Sequence, residues 1–262
     1  MKLLEGKCGV ITGVVNHRSI AWEIAKVFSE NGAQIILTYG NEDRWIFKLA
    51  SKINAVKVLK CDVTNSEEMK ETCEKVQSEF GTIDFFVHSI AYASGNDLKA
   101  GVINTSKAGF LKSMEISVFS LIEFCHNFYP FFNNNASVIS LSYLGAERVC
   151  AGYNLMGIAK SALESANKYL ANDLGEKQIR SNVISAGPVR TLAGIGLPNF
   201  AEMIEKRAAL CPIKQNITQQ DVAKTALFLA SNLSERITGE VLHVDSGYSV
   251  MGTWSEKSSE VK

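Results

Sequence analysis

The sequence predicts an α/β fold in which helices cover both faces of one doubly wound parallel sheet of about seven strands. Short runs rich in β-branched residues alternate along the chain with longer segments of helical periodicity. No internal repeat or low-complexity linker interrupts this alternation, and 262 residues with 46% hydrophobic content can bury one large core. We therefore expect a single domain over residues 1–252.

The strands and helices are assigned from the period of the apolar residues. Strand patterns occupy 8–13, 34–39, 56–63, 83–90, 136–143, 179–187 and 240–247. Helical patterns occupy 19–33, 66–81, about 107–129 and the stretch after Tyr153. The first of these helices carries Ile20, Ile24, Val27 and Phe28 on one stripe. The Asn133–Asn135 triplet is expected to form a turn before the fifth strand.

Two segments fall outside the alternation. The stretch 190–217 shows neither period and carries Gly194, Gly196 and Pro198, which predicts a substrate-binding flap. An ordinary surface excursion would have the same composition, so both interpretations stay open. The polar end, 253–262, is predicted to be a disordered tail.

Composition excludes several classes of function. The 27 basic residues equal the 27 acidic ones, so no global field favours nucleic acid or an anionic membrane. Pro130 and the asparagine triplet interrupt the longest uncharged run, 124–146, and no signal peptide is evident, so we expect no membrane insertion. The six cysteines form no CxxC pair and the histidines show no ligand spacing. We therefore expect reduced thiols, no metal site and a cytosolic protein.

The loop after the first strand is expected to bind a nucleotide phosphate. Gly13 permits close backbone approach, and a helix that begins near Ser19 presents free N–H groups and its positive dipole end to an anion. A single glycine there leaves a plain strand–loop–helix open as well. Asp62, after the third strand, is expected either to accept the adenine amino group or to form a turn. The second strand does not end in an acidic residue that could bind the ribose 2′-hydroxyl of NAD. Charged residues follow only at 42–44, Glu-Asp-Arg, so both NAD and NADP remain open as cofactors.

The stretch "YNLMGIAK" at 153–160 opens a helical pattern with a tyrosine and a lysine. Taken as a six-step offset, the gap would turn Tyr153 and Lys160 about 120° apart on a helix, on different faces. We therefore expect Tyr153 to stand at or before the first helical turn while Lys160 projects from farther along. A lysine placed there can hold ribose hydroxyls and lower the pKa of a nearby phenol.

Five blocks of the sequence match a known family in order and spacing. They are "TGVVNHRSIAW" (12–22), "FVHSIAYA" (86–93), "SYLGAERVCAGYNLMGIAK" (142–160), "ISAGPVRTLA" (184–193) and "GEVLHVDSGY" (239–248). Over about residues 2–252 the chain resembles the bacterial NADH-dependent enoyl-[acyl-carrier-protein] reductases, a divergent branch of the short-chain dehydrogenases/reductases. The resemblance implies a Rossmann-type fold, a homotetramer, a cytoplasmic location, reduction of trans-2-enoyl chains on acyl carrier protein, and binding of triclosan-type inhibitors.

The resemblance also implies roles for single residues. Tyr143, Tyr153 and Lys160 form the catalytic group, in which Tyr153 hydrogen-bonds the enolate, Lys160 holds the nicotinamide ribose and Tyr143 assists. The implied cofactor contacts are Gly13, Ser19, Ile20, Asp62, Val63, Ile90, Lys160, Val189 and Thr191. The implied substrate contacts are Ala93, Tyr143 and Tyr153. His88 is expected to be a buried structural histidine.

The spacing of tyrosine and lysine separates this chemistry from ketone reduction. Ordinary short-chain reductases carry the two residues four apart, whereas position 157 here is Gly. In conjugate reduction the hydride goes to C3 and not to the carbonyl carbon, so the donor to the developing enolate oxygen must be displaced from the carbon that receives the hydride. Two other interpretations stay open: a carbonyl reductase that uses Ser140, thirteen residues before Tyr153, and a nucleotide-sensing protein without turnover.

Some positions depart from the family pattern. Gly40 replaces a larger side chain near the adenosine and Ala91 replaces a glycine beside the inhibitor pocket, so cofactor affinity and inhibitor sensitivity are expected to differ. In the segment 197–207 the basic residues Lys206 and Arg207 are displaced towards the end. We therefore expect carrier docking to use a different patch that includes these two cations.

Overall fold

The sheet has the architecture that the sequence predicts. A computed structural model describes residues 2–40, 45–53, 55–191, 204 and 207–252. Within them the strands are β1 (Cys8–Ile11), β2 (Gln34–Tyr39), β3 (Lys57–Lys60), β4 (Ile83–His88), β5 (Phe132–Ser142), β6 (Arg180–Ala186) and β7 (Val241–Val244). All pair in parallel, in the order β3-β2-β1-β4-β5-β6-β7. The prediction of a doubly wound parallel sheet is confirmed.

Helices connect the strands on both faces. They are α1 (Ile20–Glu30), α2 (Ile46–Ala50), α3 (Ser66–Phe80), α4 (Gly95–Lys99), α5 (Lys107–Met114), α6 (Ser120–Phe128), α7 (Asn154–Gly175) and α8 (Gln219–Ala230). A π-helical turn, Glu115–Phe119, joins α5 to α6, so the predicted helix over about 107–129 is one continuous run with a π segment inside it. The helices α2 and α4 were not predicted, because five residues are too few for a helical period to show.

Two apolar cores lie against opposite faces of the sheet. In the predicted stripe of α1, Ile24, Val27 and Phe28 are buried and Ile20 is partly buried, and the stripe packs with α8 on one face. On the other face, α3, α6 and α7 surround Phe86, whose ring centroid lies 5.0 Å from that of Phe124. Burial of each such aromatic side chain contributes about 1.5–3 kcal/mol, so both layers are firmly attached to the sheet.

The fifth strand corrects one prediction. It begins at Phe132, four residues before the predicted start at 136, and the Asn133–Asn135 triplet that was expected to turn lies inside it. Asn135 has φ 64°, and the pairing with β4 is irregular between Ile83 and Phe85. The turn-forming tendency of asparagine therefore produces an irregular pairing within the strand and not a separate turn. The Asn133 side chain stabilises this pairing by donating to Asp84 Oδ1 at 2.9 Å.

The predicted flap and tail lie mostly beyond the described part of the chain. The tail 253–262 lies outside the described residues, as do 192–203 and 205–206 of the flap. Of the remainder, 207–210 are helical and the chain then runs to α8. The flap and the domain boundary at 252 therefore stay predictions.

No helix in the described part combines the length and apolarity that a membrane crossing needs.

Candidate active site

The candidate site lies at the carboxyl edge of the sheet, where the strand order reverses direction. Strands β2 and β4 pair with opposite sides of β1, so the connections that leave their ends diverge and open a crevice. A cleft of about 330 Å³ lies at this point. Its lining residues are Gly13, Val14, Val15, Thr38, Tyr39, Gly40, Cys61, Asp62, Val63 and Ile90.

Gly13 is fixed by the geometry of the loop after β1. Its φ is +83°, a left-handed value that side chains disfavour. A Cβ built there would lie 1.9 Å from the carbonyl oxygen of Ser89, the residue after β4. The expected close backbone approach is therefore to the protein's own chain, and it brings the loops after β1 and β4 together beneath the cleft.

Ser19 shapes the loop that leads into α1. It is the N-cap residue, and its hydroxyl accepts hydrogen bonds from the backbone N–H groups of Val15 and Asn16, each at 3.1 Å. The hydroxyl thus stabilises the loop rather than capping the helix. In the first turn of α1, the N–H groups of Trp22 and Glu23 donate to the Ser19 carbonyl at 3.1 and 3.4 Å. The N–H groups of Ile20 and Ala21 precede the first intrahelical hydrogen bond and are the ones that can bind a phosphate.

Asp62 forms the turn that was one of its two expected roles, while adenine binding stays a prediction. Its Oδ1 accepts from the Thr64 backbone N–H at 3.0 Å and from the Thr64 hydroxyl at 2.8 Å, as a turn-forming aspartate does. It also lines the cleft beside Val63. At the facing wall, a Cβ at Gly40 would meet no atom within 4 Å, so glycine there leaves space without being required. The expected contributions of 42–44 lie outside the described residues.

The segment after β4 is held by the π-helical turn. The hydroxyl of Ser117 accepts from the Tyr92 backbone N–H at 3.0 Å and donates to the Tyr92 carbonyl at 3.3 Å. The same segment contributes Ile90 to the cleft and packs Ala93 against the second core. π-Helical turns often occur at functional sites, and this one anchors the floor of the cleft from a neighbouring helix.

His88 at the end of β4 is buried and neutral. Its Nε2 lies 2.8 Å from the Ser120 hydroxyl, and burial, with the nearby Lys160 charge, lowers its pKa to about 3. The neighbouring strand places Ser140 beside it in register. The Ser140 hydroxyl is buried without a hydrogen-bond partner among the described residues. Neither group is arranged as an acid or base, in agreement with the expected structural role of His88.

The segment after β6 is tied to the phosphate loop by a residue that the sequence analysis missed. Val189 is buried, and the Thr191 N–H donates to the Val189 carbonyl at 2.8 Å. The Gln219 side chain at the start of α8 donates to the carbonyls of Arg18 and Arg190, at 3.1 and 3.2 Å. Two distant segments with implied cofactor contacts are therefore fixed to each other.

Tyr143 and Tyr153 meet ring to ring. Tyr143 directly follows β5, and Tyr153 is the N-cap residue of α7. Their ring centroids lie 4.8 Å apart at an interplanar angle of 63°. Burial raises the pKa of both phenols, so both are neutral hydrogen-bond donors at physiological pH, and the expected lowering of a phenol pKa by Lys160 is not found. The prediction that Tyr153 stands before the first turn is confirmed.

Lys160 projects from the second turn of α7 and is buried. Its Nζ donates to the Leu141 carbonyl of β5 at 2.6 Å, which leaves two of three ammonium protons for other acceptors. Burial lowers its pKa to about 8, against the opposing effect of the Glu164 carboxylate. That carboxylate accepts from the Ser142 hydroxyl at 2.5 Å and is thereby held near the lysine.

The expected divergence of the tyrosine and lysine is wrong. The two positions are seven steps apart, which on an ideal helix leaves them only about 20° from each other, on the same face. A four-step pair would lie about 40° apart on that face. The seven-step and four-step pairs differ in their separation along the helix axis. Three additional residues place the phenol about 4.5 Å nearer the N-terminus. The displacement is a translation and not a rotation.

Gly157 allows Tyr143 and Tyr153 to meet. A Cβ at position 157 would lie 2.8 Å from the Gly145 carbonyl oxygen. Gly145 belongs to the 3₁₀ turn Leu144–Ala146, and a Cβ there would lie 2.3 Å from the Tyr153 ring. Glycine at 157 therefore has a structural role of its own, besides the absence of the lysine that a four-step pair would place there. It lets the turn after Tyr143 pack directly onto α7.

Arg207 contacts the implied catalytic residue Tyr143, which its position in the sequence did not predict. Its Nη1 donates to the Tyr143 hydroxyl oxygen at 2.6 Å, and its guanidinium carbon lies 3.5 Å from the centroid of the Tyr248 ring. The side chain is only 5% exposed. The expectation that Arg207 belongs to an exposed carrier-docking patch is therefore wrong, and Lys206 lies outside the described residues. Only the folded chain brings these positions together.

Comparisons with known proteins agree with this geometry. A family model described as Enoyl-(Acyl carrier protein) reductase matches residues 13–249. A Rickettsia bellii protein named enoyl-[acyl-carrier-protein] reductase [NADH] FabI is 43% identical over 253 residues, which cover 96% of this chain and 97% of that protein.

Two solved structures have nearly the same fold. The Bacillus cereus enoyl-acyl carrier protein reductase, crystallised with NADP+ and indole naphthyridinone, superposes with TM-score 0.95 at 44% identity, covering 97% of this chain and 100% of that chain. The Anaplasma phagocytophilum reductase in complex with NAD superposes with TM-score 0.93 at 40% identity, covering 99% and 98%. The similarity thus extends over the cleft, the tyrosine pair and Lys160.

Proposed function

The chain belongs to the enoyl-[acyl-carrier-protein] reductase family, and we propose that it reduces the C2=C3 double bond of trans-2-enoyl-[acyl-carrier-protein] with NADH. This is the last reductive step of each cycle of type II fatty acid elongation. The observation that carries the proposal is the pair of neutral phenols, Tyr143 and Tyr153, in ring contact, with buried Lys160 farther along α7. In that arrangement two donors can serve a developing oxyanion while the lysine holds the cofactor.

The described residues fit a nicotinamide dinucleotide. The cleft lies at the reversal of strand order, and the first turn of α1 offers N–H groups to the pyrophosphate beside Ser19 and Ile20. Asp62 and Val63 form the adenine wall, Ile90 the floor, and Val189 with Thr191 the side nearest the catalytic group. When bound, NADH supplies the hydride that the substrate accepts at C3.

Tyr153 stabilises the charge that hydride addition creates. Negative charge develops on the thioester oxygen, and a fixed neutral donor at that position lowers the barrier because it needs no reorganisation. The translation of Tyr153 by about 4.5 Å from the usual four-step position matches an oxygen that lies two bonds farther from the carbon that receives the hydride than in a ketone. Tyr143 donates from the other side, and Ala93 borders the acyl chain.

Lys160 holds the nicotinamide ribose. The Leu141 carbonyl orients its ammonium group, and two remaining protons can bind the ribose hydroxyls. Because burial lowers its pKa to about 8, the lysine is charged at neutral pH but loses its proton in mildly alkaline solution. The carboxylate of Glu164 favours the charged form.

A carbonyl reductase is the second candidate, and the buried, unpartnered hydroxyl of Ser140 favours it. Against it, position 157 cannot carry the lysine of a four-step pair while Gly145 packs 2.8 Å from its Cβ position. A nucleotide sensor without turnover would not require Tyr153 and Lys160 together. The enoyl reductase is therefore the better supported function.

The test is the oxidation of NADH by purified protein, followed by absorbance with a 2-enoyl thioester and, in parallel, a 3-ketoacyl thioester. We expect turnover with the enoyl substrate and NADH, and each assay is repeated with NADPH. Turnover with the ketone alone would replace the proposal by the carbonyl reductase. NADH binding without turnover of either substrate would favour the sensor.

The proposal extends to assembly and location. Apolar side chains are exposed on the outer faces of adjoining helices, at Leu111, Phe119 and Ile122 of the α5–α6 run and at Ile158 and Tyr169 of α7. We infer that these faces pack in a homotetramer. All six cysteines are free thiols, which suits a reducing bacterial cytoplasm. Triclosan-type ligands are expected to bind near Tyr153, with an affinity altered by Ala91.

A further inference from the structure

Arg207 has contacts that a purely structural role does not explain. Its side chain is buried, and its Nε and Nη2 atoms have no hydrogen-bond partner among the described residues. A buried cation that leaves donors unpaired costs stability, so stabilisation of the fold does not account for its presence. The polar contact that it does make is with a catalytic residue, the hydroxyl of Tyr143.

The chemistry of the guanidinium determines how the Tyr143 hydroxyl points. Arginine carries five N–H donors and no acceptor, so Tyr143 must accept in the 2.6 Å contact. Its own O–H proton cannot be shared with Arg207 and must be directed to another group. Stacking on Tyr248 at 3.5 Å holds the guanidinium plane, so the hydroxyl is oriented by a rigid donor.

We propose that Arg207 is a positioning residue, which fixes the Tyr143 hydroxyl as a hydrogen-bond donor to the thioester oxygen of the enoyl substrate. The inference rests on the proposed function and adds to it a group that acts through Tyr143 rather than on the substrate. It also explains why a helical segment far along the chain, 207–210, packs onto the residue after β5.

The electrostatics of Tyr143 supply the measurement. The groups that face its hydroxyl are Arg207 from 207–210, Cys150 from the loop before α7 and the ring of Tyr153. Burial raises the pKa of Tyr143, and the charge of Arg207 lowers it. Removal of that charge should therefore raise the pKa of Tyr143 further, while a role limited to packing would leave it unchanged.

The experiment compares wild type with Arg207→Met, Arg207→Lys and the surface control Arg236→Met. Phenol titrations are recorded by NMR of ¹³Cζ-labelled tyrosine, and Tyr143→Phe assigns the signal. We expect Arg207→Met to titrate Tyr143 at higher pH and to lower kcat by ~10–100-fold, as loss of a buried charged hydrogen bond does. Arg207→Lys should restore part of both, and Arg236→Met should change neither.

A double-mutant cycle protects the test against a variant that folds poorly. In the Tyr143→Phe background the acceptor is missing, so Arg207→Lys should cause no further loss of kcat. Additive losses, or a lower kcat with an unmoved Tyr143 titration, would overturn the inference. The titration needs no turnover, so inactivity of wild type towards enoyl thioesters would refute the proposed function alone.

Discussion

The two halves of the site are built in different ways. The proposed cofactor half, at the ends of β1 to β3, is made mainly of loop backbone: Gly13 with positive φ, the N–H groups that begin α1, and a turn that the Asp62 side chain closes. The catalytic half is made by side chains from separate segments, Tyr143, Tyr153 with Lys160, and Arg207. Substitutions in the first half should therefore act through folding, and those in the second through chemistry.

Tyr153→Phe gives the largest expected effect and should leave the cofactor half intact. Loss of one oxyanion donor lowers kcat/KM by about 10²–10³-fold, while NADH affinity and melting temperature change little. The control is Tyr129→Phe, whose ring lies before β5 at the opposite edge of the sheet, against Lys177. Steady-state kinetics check the difference. An unchanged kcat/KM in Tyr153→Phe would remove Tyr153 from the chemistry.

Gly13→Ala should show the opposite pattern. The φ of +83° and the 1.9 Å approach to Ser89 predict a loss of about 2–4 kcal/mol in the free energy of unfolding, with weaker NADH binding. Gly40→Ala, which lines the same cleft, is the control for the free energy of unfolding alone, since its Cβ meets no atom within 4 Å. Urea denaturation and NADH fluorescence measure both variants. Equal stability of the two would show that the cofactor half is not fixed by backbone contact.

Gly157→Ala tests the junction of turn and helix. A Cβ 2.8 Å from the Gly145 carbonyl should push the 3₁₀ turn away, at a cost of about 1–3 kcal/mol, and lower kcat through displaced Tyr143. Gly175→Ala, at the end of the same helix, meets no atom within 4 Å and should be neutral or stabilising by up to about 1 kcal/mol. Thermal unfolding distinguishes them, and identical melting shifts would contradict this account.

The smallest expected effect is on pH dependence. Lys160 binds ribose as the cation, so kcat/KM should be highest below pH 8 and fall as the pH rises through its pKa of about 8. The Glu164 carboxylate raises that pKa, so Glu164→Gln should move the alkaline fall to lower pH. A pH–rate profile of wild type and variant measures the shift. If kcat/KM of Glu164→Gln falls at the same pH as that of wild type, a group other than Lys160 causes the alkaline fall.

The fold and the cofactor half could be predicted because their signals are local. A buried strand, Gly13 and a helix start at Ser19 are neighbours in sequence, and strand order follows from alternation. Tyr143, Tyr153 and Lys160 were identified by resemblance, yet their contacts were not, and the divergence assigned to Tyr153 and Lys160 came from counting the offset as six steps.

What the sequence did not indicate depends on contacts between distant segments. Arg207 has the appearance of a surface cation in its own helical stretch, and only its burial against Tyr143 and Tyr248 places it in the site. Gly157 and Gly145 are twelve positions apart, and their packing becomes visible only when a Cβ is built. Such pairs have no periodicity from which a single sequence could predict them.

The central claim is that the translated tyrosine–lysine pair carries out conjugate reduction. The most direct test uses NADH that is labelled with deuterium at the nicotinamide and locates the deuterium in the products. Equal amounts of a 2-enoyl and a 3-ketoacyl thioester are offered together, and the products are separated and analysed by mass spectrometry. The account predicts one deuterium at C3 of the saturated acyl thioester, and none in the 3-hydroxyacyl product. Deuterium in the 3-hydroxyacyl product, with the enoyl thioester unchanged, would contradict it.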